Sequence, residues 1–383
     1  MPIGSLHESG CVHGKVTMHV NRRGFTALAL GGVIHSLDGG MAAAADSKGL
    51  DGSTIEWIIP FDAGGGTDVR SRFHFPWLKK YLKSHVNIVI ENKPGAGGIS
   101  GTNTFYANRT RRDQLNMLST GGSTNIAMIM RQPAVKFNFL DMIPIAGFPV
   151  GAVWYVSRDT GIKTVEDLRH PSKGLHYAGV AASGRDLSGL LAFDLLGVEV
   201  QVTFGYTSGG ASTLLAFERR ESNFDTQTTS VYRTRLADSP GVVPLYTDGI
   251  LDEHGDVVRD PSWPDLPSVK DVYVTLHGKV PSGPEWEAYK IALGARGALD
   301  TIVWLHSDAP KEMVDELTQA FRDMSHDPEY QEALAKQTGG YPIIVGQEVL
   351  KPLVKQTFDI DPSVREWLYS WLEQKYNIAR PRK

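Results

Sequence analysis

Short apolar runs recur along the chain, each closed by glycine, proline or polar residues, and the segments between the first of them carry apolar positions at helical spacing. The runs predict strands at Thr54–Pro60, Val86–Ile90, Leu115–Ser119, Ile143–Phe148 and Ala152–Ser157, with an amphipathic helix over Asp68–Leu82. Such alternation favours an α/β fold with a mostly parallel sheet, whose loops and helix starts gather at the strands' carboxyl ends. A second set of strands is predicted at Leu175–Ala178, Val200–Phe204, Phe224–Thr228 and Val242–Tyr246, with helical segments Asp186–Leu196 and Ala211–Glu221 among them. From Ile250 to Pro267 the chain turns polar and reads as a loop. Near the end, Met313, Leu317 and Phe321 lie on one face of a helix over Lys311–Met324. Trp367, Leu368, Trp371 and Leu372 do the same over Val364–Lys375.

Composition adds the scale. With 383 residues, 41% of them hydrophobic, the chain can build about two domains with real cores. Its net charge of −4 implies no basic surface for nucleic acid, so small molecules become the expected partners. Residues 1–45 have the order of an export signal: paired Arg22 and Arg23, a weakly apolar run from Thr26 to Leu37, then four alanines at 42–45. The arginine pair resembles a twin-arginine signal and implies a periplasmic location. A leader without function or a short membrane anchor are the alternatives, though the run is short for a bilayer. Translation starting at Met18 would keep the signal intact, and residues 46–53 read as a linker. The single cysteine, Cys11, precedes the apolar run, so a mature protein has none for nucleophilic work. The histidines show no metal-ligand spacing and no Gly-x-Ser-x-Gly elbow occurs. No catalytic residue, metal or cofactor is assigned.

Two glycine-rich turns carry the chemistry. The first strand runs into Pro60-Phe61-Asp62-Ala63-Gly64-Gly65-Gly66-Thr67-Asp68, and the second into Glu91-Asn92-Lys93-Pro94-Gly95-Ala96-Gly97-Gly98. Glycine permits positive φ and lets a ligand approach main-chain N–H groups; a following helix start adds unpaired amides and partial positive charge. The pair suits a carboxylate or phosphate. Neither turn is a nucleotide fingerprint, since the first lacks Gly-Lys-Ser/Thr and neither has the G-x-G-x-x-G register. Each alone could equally be a tight turn.

Together these motifs resemble the signature of the solute receptors of tripartite tricarboxylate transporters, the Bug receptors. Further matches are Gly122-Ser123-Thr124-Asn125, Thr164-Val165-Glu166-Asp167-Leu168, Trp263-Pro264-Asp265-Leu266-Pro267-Ser268-Val269 and Ala309-Pro310-Lys311. The resemblance implies a two-domain periplasmic binding protein of the Venus flytrap kind, type II-like, expected as a monomer. It places domain one at 54–152 plus 272–383 and domain two at 153–271. A small organic acid would lie in the cleft, one carboxylate held by the two turns through main-chain N–H groups and water, and be delivered to membrane subunits of the transporter. A ligand receptor for a sensor kinase, or an exported enzyme, are the competing readings.

The candidate ligand-binding residues are then Phe61, Ala63, Gly64, Gly65, Gly66, Gly95, Ala96, Gly97 and Gly98, with hydroxyls from Ser123 and Thr124. In domain two they are Ser183, Gly184, Arg185 and Tyr206, with Ser208 beside them. Ser183 and Gly184 fit the family's run of small residues, whereas Arg185 and Asp186 depart from it. Arg185 facing the cleft would clamp a second carboxylate; Asp186 would repel one, or cap the following helix. An Arg185–Asp186 pair on the surface is the alternative for both. Tyr206 either lays its ring on the ligand or packs in the core. Asp62 stands where the family has small or apolar residues, and Asp68 is expected to cap a helix or pair with Arg72.

Overall fold

The computed structural model describes residues 50–381 apart from 109–114, 207–209 and 253. The proposed leader with Arg22, Arg23 and Cys11, residues 46–49 of the linker, and Ser208 lie outside the described residues.

Strand β1 (Thr54–Ile59) leads through α1 (Gly66–Tyr81) to β2 (Asn87–Asn92), then through α2 (Ile99–Ala107) to β3 (Leu115–Ser119), α3 (Gly122–Ile129) and β4 (Ile143–Phe148). These strands join β12 (Thr301–Leu305) and β13 (Ile344–Val345) in a six-stranded sheet ordered β13-β4-β12-β3-β1-β2. β1 is parallel to β2 and β3, while β12 runs antiparallel between β3 and β4 and β13 antiparallel to β4 at the edge, so the expected parallel sheet holds two antiparallel strands, one of them inserted. Alternate residues of β1 enter two cores. Ile55, Trp57 and Ile59 pack with Leu78 of α1 and with Met313, Leu317 and Phe321 of α9 (Lys311–Ser325); Ile58 packs with Ile99, Phe105 and Ile126 on the other face. A sheet covered on both faces explains why β1 reads as an almost unbroken apolar run.

The chain next forms β5 (Ala152–Ser157), which lies antiparallel between β8 (Phe224–Thr228) and β9 (Val242–Thr247). A separate parallel pair, β6 (Leu175–Gly179) and β7 (Val200–Phe204), is linked by α4 (Leu187–Leu196), and α5 (Gly210–Glu218) and α6 (Thr229–Arg235) flank β8. Trp154 turns to α4 and Phe193, Tyr155 to Phe217 and Tyr232, so β5 is also buried on both faces. The polar stretch read as a loop holds a small hairpin, β10 (Ile250–Leu251) with β11 (Val257–Val258), because Asp252 turns it by accepting from the His254 and Asp256 amides. After α7 (Val269–His277), α8 (Pro284–Arg296) packs on α3, α4, α11 (Gln347–Phe358) and α12 (Pro362–Tyr376). One apolar cluster therefore runs from Ile58 through Trp304 to Trp154. α10 (Pro328–Thr338) completes the order.

His74 of α1 is fully buried, its ring stacked on Phe148 at 3.9 Å, with Nδ1 3.1 Å from Tyr330 Oη. Burial, helped by the Arg70 charge, holds its pKa well below the ordinary value. The unfolded chain therefore binds a proton near pH 6.5 that the folded chain refuses, so stability falls as pH drops below about 6.5. Urea midpoints between pH 8 and 5 should show this slope in the wild type and a shallower one in His74→Phe; equal slopes would clear His74 of the effect.

Candidate functional site

The carboxyl ends of β1, β2 and β3 lie side by side, and each opens into a turn that starts a helix. β1 sits between its two successors, so the turns surround a point where the chain switches direction across the sheet, the usual place for a ligand crevice. The first turn is fixed from below. Asp68 is 2% exposed; Oδ2 accepts from the Gly64 amide at 2.8 Å, and Oδ1 accepts from Arg72 Nε at 2.8 Å and Asn92 Nδ2 at 2.9 Å. Asn92 also donates to the Phe61 carbonyl at 2.9 Å, which ties the end of β2 to the first turn. Burial raises the Asp68 pKa, but these donors outweigh it and the net shift is downward. Asp68 thus makes the expected pair with Arg72, and it also takes the Gly64 amide that a ligand would otherwise find free. The first-turn amides of α1, at Gly66 and Thr67, have no intrahelical acceptor.

The second turn is built from consecutive left-handed residues: Gly95 (φ 141°), Ala96 (48°), Gly97 (65°) and Gly98 (94°). A non-glycine residue at positive φ is uncommon and marks backbone held by its surroundings. The holding groups come from the third turn, where Ser123 Oγ and Thr124 Oγ1 donate to the Gly97 carbonyl at 3.0 and 3.3 Å. These hydroxyls therefore brace the second turn. Phe61 is the keystone between turns, because a Cβ on Gly98 would lie 2.8 Å from its ring and one on Gly121 3.0 Å from it. Ala63, Gly64, Gly66, Gly95, Ala96 and Gly97 are exposed, so the three turns offer main chain at the surface over a buried scaffold.

In the second half of the fold, the turn between β6 and α4 is organised by Asp186, which is 2% exposed. Its Oδ1 accepts from Tyr177 Oη at 2.8 Å and its Oδ2 from the Val180 and Ala181 amides at 2.6 and 2.8 Å. It therefore neither caps α4 nor faces a ligand: it closes its own turn. Arg185 is not a surface residue; its side chain is 19% exposed and its ion pair with Asp186, at 3.7 Å, is too long for a hydrogen bond. Burial opposes its charge, but Tyr177, Asp186, Asp225 and Asp300 outweigh that and hold its pKa above the ordinary value. Asp300 lies in the first sheet's half, bound to Arg70 and beside Gly122 of the third turn, so Arg185 is within electrostatic reach of both groups of loops. Gln132 Nε2, following α3, lies 3.5 Å from the Ser183 carbonyl, which brings that turn and Gly184 against the first half as well. Tyr206 is half-buried and donates to Glu221 at 3.1 Å, at the outer end of α5, a partner neither expectation named.

Reading the sequence overlooked Asp225, Gln227 and Asp300. Asp225 is wholly buried on β8, with Oδ2 accepting from Tyr155 Oη at 2.7 Å and Gln227 Nε2 at 3.2 Å; burial pushes its pKa up to about 6. A lone acid inside the run Phe224–Thr228 was the available signal. Two surface grooves, lined by Lys83, Glu312 and Glu316 and by Lys80, His326 and Glu329, both include Tyr81 or its neighbour at the far end of α1, about 24 Å from the first turn. They are separate from this chemistry.

No family model matches the chain. Protein BugT of Bordetella pertussis is 29% identical over 109 residues, 28% of this chain and 32% of the relative, so the match spans about a third of that protein's length. Among solved structures, periplasmic binding protein BugD aligns with a TM-score of 0.59 at 20% identity, covering 86% of this chain and 99% of BugD. MatC from Rhodopseudomonas palustris with bound malate gives 0.58 at 17% identity, covering 82% and 99%. An R. palustris protein with adipate gives 0.61 at 16%, covering 83% and 97%. The fold is that of these binding proteins, as the glycine motifs led us to expect.

Proposed function

We propose that the chain is a solute-binding receptor of the tripartite tricarboxylate type, which takes a small organic carboxylate between two domains and passes it to a membrane transporter. The observation that carries this reading is the convergence of three strand-to-helix turns, with Gly95 to Gly98 left-handed throughout and main chain exposed above Phe61. The malate and adipate of the structural neighbours are small dicarboxylates, which agrees with an organic acid here. We place the crossings between domains at 149–151 and at 248–249, where β4 gives way to β5 and β9 ends, rather than between 152 and 153, within β5, and between 271 and 272, within α7. The periplasm, the twin-arginine route and a monomer belong to the same reading, in which the protein is a carrier and not an enzyme.

The energetics are sufficient. Micromolar affinity needs about 8 kcal/mol, and a hydrogen bond to a charged group supplies roughly 1.5–3 kcal/mol. A few amide bonds at the turns, with helix ends adding about 0.3–1 kcal/mol each, approach that figure before association costs. Domain closure and apolar burial must then offset those costs. A thermal-shift screen of the purified protein against organic acids tests the reading: a ligand at a hundred times its Kd adds roughly 2.7 kcal/mol. Uptake of the same acid should fail in a strain lacking the protein. A carboxylate series without a single shift, or turnover of the bound acid, would end this assignment.

A further inference from the structure

The half of the fold around β8 holds two buried polar atoms of opposite character. Arg185 Nη1 and Asp225 Oδ1 are both enclosed and without a hydrogen-bond partner among the described residues. They belong to one neighbourhood: a Cβ on Gly210 would lie 2.9 Å from Gln227 Oε1 and 3.4 Å from Arg185 Nη2, and Gln227 Nε2 donates to Asp225. Buried donors and acceptors in native proteins are almost always paired, so such a couple marks where a bound group completes the set. Two main-chain amides of this side, those of Val180 and Ala181, are already held by Asp186.

Charge decides what the missing group is. Arg185 stands among Asp186, Asp225 and Asp300, and Arg70 is already paired with Asp300. A second carboxylate would add an uncompensated negative charge to a buried acidic surround, which is costly. We propose, resting on the carboxylate-receptor reading above, that the end of the ligand away from the glycine turns is a neutral carboxamide, its C=O accepting from Arg185 Nη1 and its NH₂ donating to Asp225 Oδ1. The expected ligand class is thus the monoamide of a short dicarboxylic acid. Above about pH 6 Asp225 is ionised and acts as the acceptor this requires.

Calorimetry at pH 7.5 with succinamate and succinate, glutaramate and glutarate, adipamate and adipate tests it. In the pair of fitting length the monoamide should bind about tenfold tighter or better, the ratio of one unsatisfied buried group. Asp225→Asn should shrink or reverse that ratio by lowering the negative charge around the distal group. A dicarboxylate binding as tightly as its monoamide in every pair overturns the proposal, and the wild-type ratio decides this even if the variant fails to fold. An unchanged ratio in a folded Asp225→Asn protein also overturns it. Should neither series bind while another carboxylate from the screen does, the inference fails alone; if no carboxylate binds, the receptor reading fails first.

Discussion

Gly97→Val is expected to abolish ligand-induced stabilisation while leaving a folded protein. Gly97 sits at φ 65° and ψ 28°, and a Cβ there would meet only Ser123 Cβ, at 4.0 Å. Space is available, so the cost to the fold is the strain of a β-branched residue in the left-handed region, about 1–3 kcal/mol. The isopropyl group, however, would stand over exposed main chain where the carboxylate is proposed to lie. A ligand worth roughly 2.7 kcal/mol of stabilisation at a hundred times its Kd should then produce no shift at the same concentration. Gly98 is a poorer choice, because any side chain there drives into Phe61 and Thr124 and would confound binding with unfolding. Gly65 is intermediate, its Cβ falling 3.1 Å from the Asp62 carbonyl. A wild-type thermal shift in folded Gly97→Val would remove the second turn from the site.

Asp68→Ala is expected to lower stability by about 2–3 kcal/mol and to weaken ligand binding at least about tenfold. The change strips the acceptor from the Gly64 amide, Asn92 Nδ2 and Arg72 Nε together. Hydrogen bonds to a charged group count for roughly 1.5–3 kcal/mol each, and partial exposure of Arg72 reduces the total. Because the Asp68 pKa is depressed, its stabilisation is present above about pH 4 and lost as pH falls through the folded value. Urea titrations at pH 7 and pH 3.5 should therefore find variant and wild type far apart at the first and closer at the second. A loss under about 0.5 kcal/mol at pH 7, within ordinary surface effects, would show that the turn does not depend on this carboxylate.

Much of the fold was legible because strands such as β1, β4 and β5 are buried on both faces and leave apolar runs between turn residues, while β7 alternates between half-buried and exposed positions. Leu115–Ser119, Ile143–Phe148, Ala152–Ser157, Val200–Phe204 and Phe224–Thr228 form with the predicted bounds. The core stripe of Met313, Leu317 and Phe321 is fully buried, as its spacing required. Strand β12 escaped notice: nothing local in Thr301–Leu305 says that it returns from far along the chain to lie antiparallel between β3 and β4. At the site, the glycine turns could be read because their conformation demands a residue type. Asp186 and Arg185 could not, since an acid next to an arginine says nothing of direction. Structure separates them, sending the carboxylate inward to Val180 and Ala181 and the guanidinium towards Asp225. Asp225 was hidden for the opposite reason, as strand periodicity gives a buried acid no mark beyond its presence.

Helix α3 spans eight residues, about 12 Å, and its two ends meet different surroundings. At its finish, Arg365 Nε donates to the Ile129 carbonyl at 3.0 Å and Tyr369 Oη to that of Met130 at 2.8 Å, both from α12. A guanidinium on the negative pole of so short a dipole cancels much of the field that would otherwise oppose the positive pole. The C-terminal segment of the chain thus acts at a distance as an electrostatic counterweight, leaving the opening at Gly122 more attractive to an anion than eight residues alone would make it.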